Sequence, residues 1–208
     1  MYNRGPLHKV RCVIIMTIDV GISGSKSGWT NAYTIVNGDN PANATGIIAH
    51  IAIYAHGTCT NVKVASFTQG AANVLTTRGN TSLANLSAGK NEFSVTNGDF
   101  IPFEIRTGDF IGAYVEGGSS DGIDAGSGAS TGYWRKSGDY IPCTSETFTW
   151  IAGTFVSVYA EGYQLGQINI GDAWKDIQNI QINIGDSWKQ ITLGSGINIG
   201  DVWKNILH

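Results

Sequence analysis

A decapeptide that occurs three times near the carboxyl end constrains the fold of this chain more than any other feature. The copies span residues 168–177, 182–191 and 197–206, and each reads Ile-Asn-Ile-Gly-Asp-x-Trp-Lys-x-Ile. Successive copies begin 14 and then 15 residues apart, which suits one β-hairpin and is too short for an independent fold. Residues 163–208 are therefore predicted to form three tandem hairpins.

The turn within each hairpin decides which residues share a face. A two-residue turn places Trp opposite Asn and the Ile pair on the other face, whereas a three-residue turn with a bulge places Trp beside the second Ile. We favour the bulged turn because it collects the apolar side chains on one side. A lone hairpin has nothing to bury them against, so these residues should make assembly contacts. The predicted contact residues are Trp174, Trp188, Trp203, Ile170, Ile184 and Ile199.

Composition and short strand signals indicate an all-β chain. Only 14% of the residues are charged, 28 are Gly, and no long amphipathic helical pattern is present. Strand signals recur at short intervals from about residue 13 to 160, which is typical of an antiparallel β-sandwich. We therefore predict an N-terminal arm over 1–15, a β-sandwich over 16–162 and the hairpin repeats over 163–208.

The clearest single strand is predicted over Gly46 to Ala55. Its alternation places Ile47, Ala49, Ile51 and Ile53 on one face, which is expected to line the core. In a second segment, residues 101–106, a proline at position 102 indicates an edge strand or the start of a strand.

A glycine-rich segment over residues 117–132 is predicted to be a surface loop. Asp121 and Asp124 within it are candidate calcium ligands, but the D-x-D-x-D-G spacing of a calcium loop is missing, so no cofactor is expected. Tyr133 and Trp134 directly follow this segment and are candidate glycan-contact residues.

The sequence contains no arrangement typical of a catalytic or metal site, so the protein is not expected to be an enzyme. His50 and His56 lie six residues apart and are expected to be solvent-facing strand residues. Three cysteines in all, far apart, favour buried free thiols, while a bridge between Cys59 and Cys143 stays open.

Charge and hydropathy exclude two classes of partner. A net charge of -3 supplies no basic field for nucleic acid. The apolar run over residues 10–20 is interrupted by Arg, Thr and Asp, and no small-residue cleavage site follows it. We therefore expect neither a signal peptide nor insertion into a membrane.

The I-N-I-G-D-x-W-K-x-I units resemble the C-terminal hairpin repeats of uncharacterised bacteriophage and environmental virus proteins. Residues 40–48, 51–54 and 61–67 resemble the jelly-roll domains that accompany those repeats. The resemblance implies a jelly-roll-like sandwich in a virion structural protein, such as a tail fibre, spike or capsid decoration. It also implies a homo-oligomer, with a trimer favoured, that contacts other virion proteins at the virion surface and is extracellular after release.

The alternative function is a carbohydrate-binding module or lectin-like adhesin, because jelly rolls also serve those roles. In that case Tyr133, Trp134 and the glycine-rich segment would contact a glycan on the host surface.

Overall fold

The computed structural model describes residues 17–118 and 120–164, together with the strand backbones of the repeats between residues 167 and 205. One compact unit spans Met16–Gln164, and the terminal segments Met1–Ile15 and Leu165–His208 are assigned to a second unit. Thirteen strands belong to the first unit: β1 Thr17–Ile22, β2 Gly28–Thr30, β3 Tyr33–Asn37, β4 Gly46–Ala55, β5 Cys59–Gln69, β6 Val74–Ser82, β7 Gly89–Ser94, β8 Phe103–Ile105, β9 Phe110–Gly117, β10 Ile123–Ser137, β11 Glu146–Thr147, β12 Thr149–Val156 and β13 Val158–Gln164.

The strands of this unit form two layers, and all the named strand pairs are antiparallel. In the first layer β13 lies between β1 and β4, while β7 and β8 pair with successive parts of the opposite edge of β4. The second layer has the order β10-β3-β9-β5-β6-β11, and β12 and β2 also pair with β10. The predicted all-β antiparallel sandwich is confirmed.

The main core lies between the two layers. It is built from aliphatic side chains of both layers, including Ile18, Ile51 and Val158 from the first and Ile35 and Ile111 from the second, each at most 1% exposed. Full burial of one such side chain stabilises the fold by about 1.5–3 kcal/mol. This layer-to-layer packing is the main source of stability for the sandwich.

A second apolar cluster covers the outer face of the second layer. Residues 138–148, which connect β10 to β12, place Ile141 and Phe148 over Phe67, Leu75 and Trp134. The central strands of this layer are thus buried on both faces, and their sequences read as nearly continuous apolar runs rather than alternating ones.

A bulge changes which residues of β4 face the core. Ile51 and Ile53 are buried as predicted, but Ile47 and Ala49 are only partly buried and Ile48 takes the core position. Glu161 of β13 pairs with His50, whereas the next residue pairs with Ile48, so β4 contains one extra residue there. The prediction for Ile47 and Ala49 is wrong because this β-bulge reverses the alternation.

The glycine-rich segment is not the predicted surface loop over most of its length. β10 begins at Ile123, and Ile123, Asp124 and Ala125 are all buried. Backbone pairing with β2 and β12 holds this part of the strand, and pairing of this kind needs no bulky side chains. At Gly132 a Cβ atom would lie 2.3 Å from the carbonyl oxygen of Ile151, so close strand approach there requires glycine.

The repeats form three separate two-stranded sheets. Their strands are β14 Gln167–Ile170, β15 Ala173–Asp176, β16 Ile180–Ile184, β17 Ser187–Ile191, β18 Gly196–Ile199 and β19 Val202–Asn205.

The register of these hairpins corrects the predicted bulged turn. Trp174, Trp188 and Trp203 pair directly with the Asn of their own copy, and in each copy two residues lie between the paired strands. Two-residue connections are the commonest in hairpins because their backbone twist matches that of the flanking strands. The Trp positions therefore share a face with Asn, not with the second Ile.

Candidate functional site

The predicted glycan contact through Tyr133 and Trp134 is wrong because both rings are buried. Tyr133 is 4% exposed and lies in the main core, where burial raises the pKa of its phenol. Trp134 is 5% exposed, lies 4.6 Å from the ring of Trp150 between centroids, and donates its Nε1–H to Oδ1 of Asn73 at 3.1 Å. Neither ring offers a free face on which a sugar could stack.

The six predicted assembly residues lie in the hairpin strands. Their backbones follow the register above, while their side chains lie outside the described part of the chain. The contacts predicted for Trp174, Trp188, Trp203, Ile170, Ile184 and Ile199 therefore stay predictions.

Exposed large apolar side chains are few on the described surface: Trp29 is 40% exposed, Tyr163 50% and Ile101 78%. Trp29 is the middle residue of β2, and it pairs directly with Asp124 of β10. It was missed at the level of sequence because β2 is only three residues long and has no apolar alternation. An exposed indole in a sandwich that leaves few large apolar side chains exposed marks a candidate site.

His56 stacks on Trp29 with 4.3 Å between ring centroids and 13° between ring planes. His56 directly follows β4, and its backbone N–H donates to the carbonyl oxygen of Gly122 at 2.8 Å. The start of β10 pairs with β2 on one side and with the end of β4 on the other. Backbone hydrogen bonds across three strands thus fix the two rings against each other.

A buried carboxylate lies beside this stack. Asp124 is 3% exposed, and its Oδ2 accepts the backbone N–H of Lys26 at 2.8 Å. Its Oδ1 has no hydrogen-bond partner among the described residues and lies 4.0 Å from Nδ1 of His56. That separation is too long for a hydrogen bond.

Asp121, the other candidate calcium ligand, is fixed by neighbouring backbone. Its Oδ2 accepts the N–H of Gly118 at 3.0 Å, and a Cβ atom at Gly57 would lie only 1.8 Å from its Oδ1, so a side chain at position 57 would displace this carboxylate. Asn31 donates from Nδ2 to the carbonyl oxygen of Gly118 at 2.6 Å. Across the described ranges, no group of three or more His, Cys, Asp or Glu side chains is arranged to hold a metal ion.

Cys59 and Cys143 are free thiols and not a bridged pair, and the predicted burial holds for Cys59 but not for Cys143. Cys59 is fully buried, and burial together with the negative charge of Asp121 raises its thiol pKa to about 11, although a hydrogen bond from the Gly122 backbone opposes the shift. Cys143 is only partly buried. The remaining cysteine, at position 12, lies outside the described residues.

His50, the other histidine predicted to face solvent, lies in a charged cluster on the outer face of the first layer. His50 is 31% exposed and lies 3.8 Å from Oε1 of Glu92 and 3.9 Å from Oε2 of Glu161. Lys90 donates to Glu92 at 2.7 Å, and this contact lowers the pKa of the Glu92 carboxyl group. Nδ1 of His50 is buried without a hydrogen-bond partner among the described residues, while the surrounding ion pairs are half-exposed and of the kind that contributes little to stability.

No helix in the described part of the chain is long and apolar enough to cross a membrane. Comparison with family models, curated proteins and solved structures found no match to this chain.

Proposed function

We propose that this protein is a non-enzymatic structural component of a virion that assembles with copies of itself through its C-terminal hairpins. The observation that carries the proposal is that each repeat is a separate two-stranded sheet. A single two-stranded hairpin is marginally stable in water, because it has no third strand or packed face to bury its apolar residues. Three such hairpins in succession favour burial against other chains.

The hairpin register supports repeated, identical contacts. In each copy the Ile positions that flank Asn alternate with the Asn and Trp positions, which gives one Ile face and one Asn and Trp face per hairpin. Because the same faces recur in every copy, a symmetric homo-oligomer would repeat one favourable contact several times. A trimer remains the favoured state.

The sandwich itself has little need of a partner. On its described surface only Trp29, Ile101 and Tyr163 are large apolar residues with substantial exposure, and they do not form one continuous patch in any strand pair. Stable obligate interfaces are usually larger and more apolar than this. The proposal therefore assigns self-association to the repeats and not to the sandwich.

Sedimentation velocity of the full chain at micromolar concentration tests the assembly. We expect an oligomer, and we expect the combined substitutions Trp174→Ala, Trp188→Ala and Trp203→Ala to weaken it by at least about tenfold in dissociation constant, since buried aromatic residues dominate interface energies. Tyr163→Ala, an exposed aromatic residue of the sandwich, is the matched control and should leave the oligomer unchanged. A monomeric full chain would contradict the proposal.

The virion assignment is tested separately by mass spectrometry and immunogold imaging of purified particles from the source of the chain. We expect the protein in stoichiometric amounts on the particle surface. If the protein is absent from particles but the purified chain self-associates, the virion assignment is wrong and the proposal of self-association stands.

A further inference from the structure

We infer that Trp29, His56 and the polar residues around them form a binding subsite for a pyranose sugar. The set Trp29, Asn31, His56, Asp121 and Asp124 is called the Trp29 site below. This inference goes beyond self-association and does not depend on it, because all five residues belong to the sandwich.

The indole of Trp29 is stacked on one side and partly exposed to solvent. His56 lies against one face of Trp29, while 40% of the Trp29 surface remains exposed. Exposing an aromatic ring of this size to water is unfavourable, and the rings of Trp134 and Trp150 avoid it by packing on each other in the second cluster. A rigid, flat and solvent-facing indole suits stacking with the C–H face of a sugar ring, because little side-chain entropy is lost on binding.

Asp124 has a buried oxygen without a hydrogen-bond partner among the described residues. A buried carboxylate oxygen without a hydrogen bond is unfavourable, and a purely structural strand pair would gain by replacing it. Here its negative charge lies 4.0 Å from Nδ1 of His56 and favours the tautomer that carries the proton on Nδ1. In that tautomer Nε2 carries a lone pair and accepts a hydrogen bond from a sugar hydroxyl.

Two polar side chains of the Trp29 site are held in place by the backbone. Asn31 and Asp121 are both hydrogen-bonded to the backbone of Gly118, so their amide and carboxylate groups are held in place before any ligand arrives. Sugar sites combine an aromatic platform with a few such fixed polar groups, because each hydroxyl needs a partner to replace water. The Trp29 site contains both parts.

The position of the site within the sandwich fits a role in contact with a ligand. His56 follows the last residue of β4, whereas Gly46, the first residue of β4, pairs with Gln164, the last residue of the sandwich. Ten residues of strand separate the two ends by about 30 Å. Gln164, the last residue of the sandwich, therefore lies about one strand length away from the Trp29 site.

The direct test uses the full chain labelled with ¹⁵N at the tryptophan indoles. Methyl β-D-galactopyranoside, methyl β-D-glucopyranoside and methyl α-D-mannopyranoside are titrated in turn, and an array of immobilised oligosaccharides extends the search. We expect at least one probe to shift a single indole resonance with a dissociation constant of about 1–10 mM, as is usual for a single sugar ring with few contacts. That resonance should be missing from the spectrum of Trp29→Ala.

Two further variants separate binding from a merely structural stack. His56→Phe keeps a stacked ring but removes the Nε2 acceptor, so the dissociation constant should rise by about tenfold. Trp29→Phe keeps an aromatic platform and should retain part of the affinity. The matched control Tyr163→Ala removes a ring that is 50% exposed, against 40% for Trp29, at the other end of β4, and it should bind as the unmodified chain does.

Three outcomes would overturn the inference. They are no binding to any probe or array glycan, binding that persists unchanged in Trp29→Ala, and equal affinity in His56→Phe and the unmodified chain. Sedimentation of the same variants keeps the two proposals apart, since loss of sugar binding should leave the oligomer intact.

Discussion

Two tryptophans in neighbouring strands of the second layer have opposite surroundings. Trp134 in β10 is 5% exposed, with aromatic neighbours on its ring and Asn73 accepting from its indole N–H. Trp29 in β2 is 40% exposed and has one stacked imidazole. The difference arises because residues 138–148 fold over Trp134, whereas no described segment covers Trp29. Long-range connections, more than residue type, decide whether an indole is core or surface.

Two buried aspartates show the same contrast. Asp109 accepts hydrogen bonds from Nε of Arg78 at 2.5 Å, from Nη2 of Arg78 at 3.2 Å and from the backbone N–H of Arg106 at 2.9 Å. Asp124 is equally buried, but only one of its oxygens has a hydrogen-bond partner among the described residues. Asp109 stabilises a turn, while Asp124 is left available to influence His56.

The largest expected loss of stability follows from replacing Trp134, the buried tryptophan. Trp134→Ala should lower the free energy of unfolding by about 3–5 kcal/mol, because it removes a large buried ring and leaves a cavity between Phe110 and Trp150. Urea denaturation followed by far-UV circular dichroism measures the change. A loss below about 1 kcal/mol would mean that the second cluster contributes little to stability.

Substituting Asp109 and Asp124 should lower stability by different amounts. Asp109→Asn should destabilise the fold by about 2 kcal/mol, because it weakens a charge-assisted bidentate contact that is only 4% exposed on the Asp109 side. Asp124→Asn should change stability by less than about 1 kcal/mol, because only one hydrogen bond to its carboxylate is present. Equal losses of unfolding free energy in the two variants, measured by the same denaturation, would mean that the two carboxylates contribute equally to stability.

The features that the sequence predicted are those set by local pattern. The bounds of β4 follow from an apolar run between glycine-containing turns, and the tandem hairpins follow from the repeat itself. By contrast, β6 and β7 are rich in Thr, Asn, Gly and charged residues, and they are strands because neighbouring strands pair with them. Pairing across the sheet can override weak intrinsic propensity.

The Trp29 site was not predictable in the same way. Trp29, His56 and Asp124 are separated by 27 and then 68 residues in the sequence, and only the placement of β10 between β2 and β4 brings them together. The prediction instead chose Tyr133 and Trp134, because both follow a glycine-rich segment. That segment is mostly strand, so Tyr133 and Trp134 do not flank a surface loop as the prediction assumed.

Cys59 allows a pH test of the region near Asp121. Burial and the charge of Asp121 raise the Cys59 pKa from its ordinary 9.0 to about 11, so folding favours the protonated thiol. The resulting stabilisation is complete below about pH 9 and is lost as the pH rises through about 11, by about 2 kcal/mol at pH 10.5 and at most about 3 kcal/mol. Denaturation at pH 8 and pH 10.5 should show a larger loss in the unmodified chain than in Cys59→Ala.

Thiol labelling at pH 8 provides the matching comparison in a Cys12→Ser background. Cys143 is partly exposed and should react well before Cys59, which is fully buried. Equal labelling rates under native conditions would show that the end of the sandwich near Asp121 opens as easily as the second cluster.

The smallest effect on stability is expected at Trp29. Trp29→Ala should lower the free energy of unfolding by less than about 1 kcal/mol, because the ring is 40% exposed and its main ring contact is one imidazole. His56→Ala should have a similarly small effect. The loss of unfolding free energy in the double variant should equal the sum of the two single losses within the energy of one stacked pair, about 0.5–1.5 kcal/mol. If Trp29→Ala instead approached the loss expected for Trp134→Ala, the stack would be a structural cap over Asp124. In that case Trp29 would have a structural role like that of Trp134. Its exposure would then not indicate a preformed surface for a sugar.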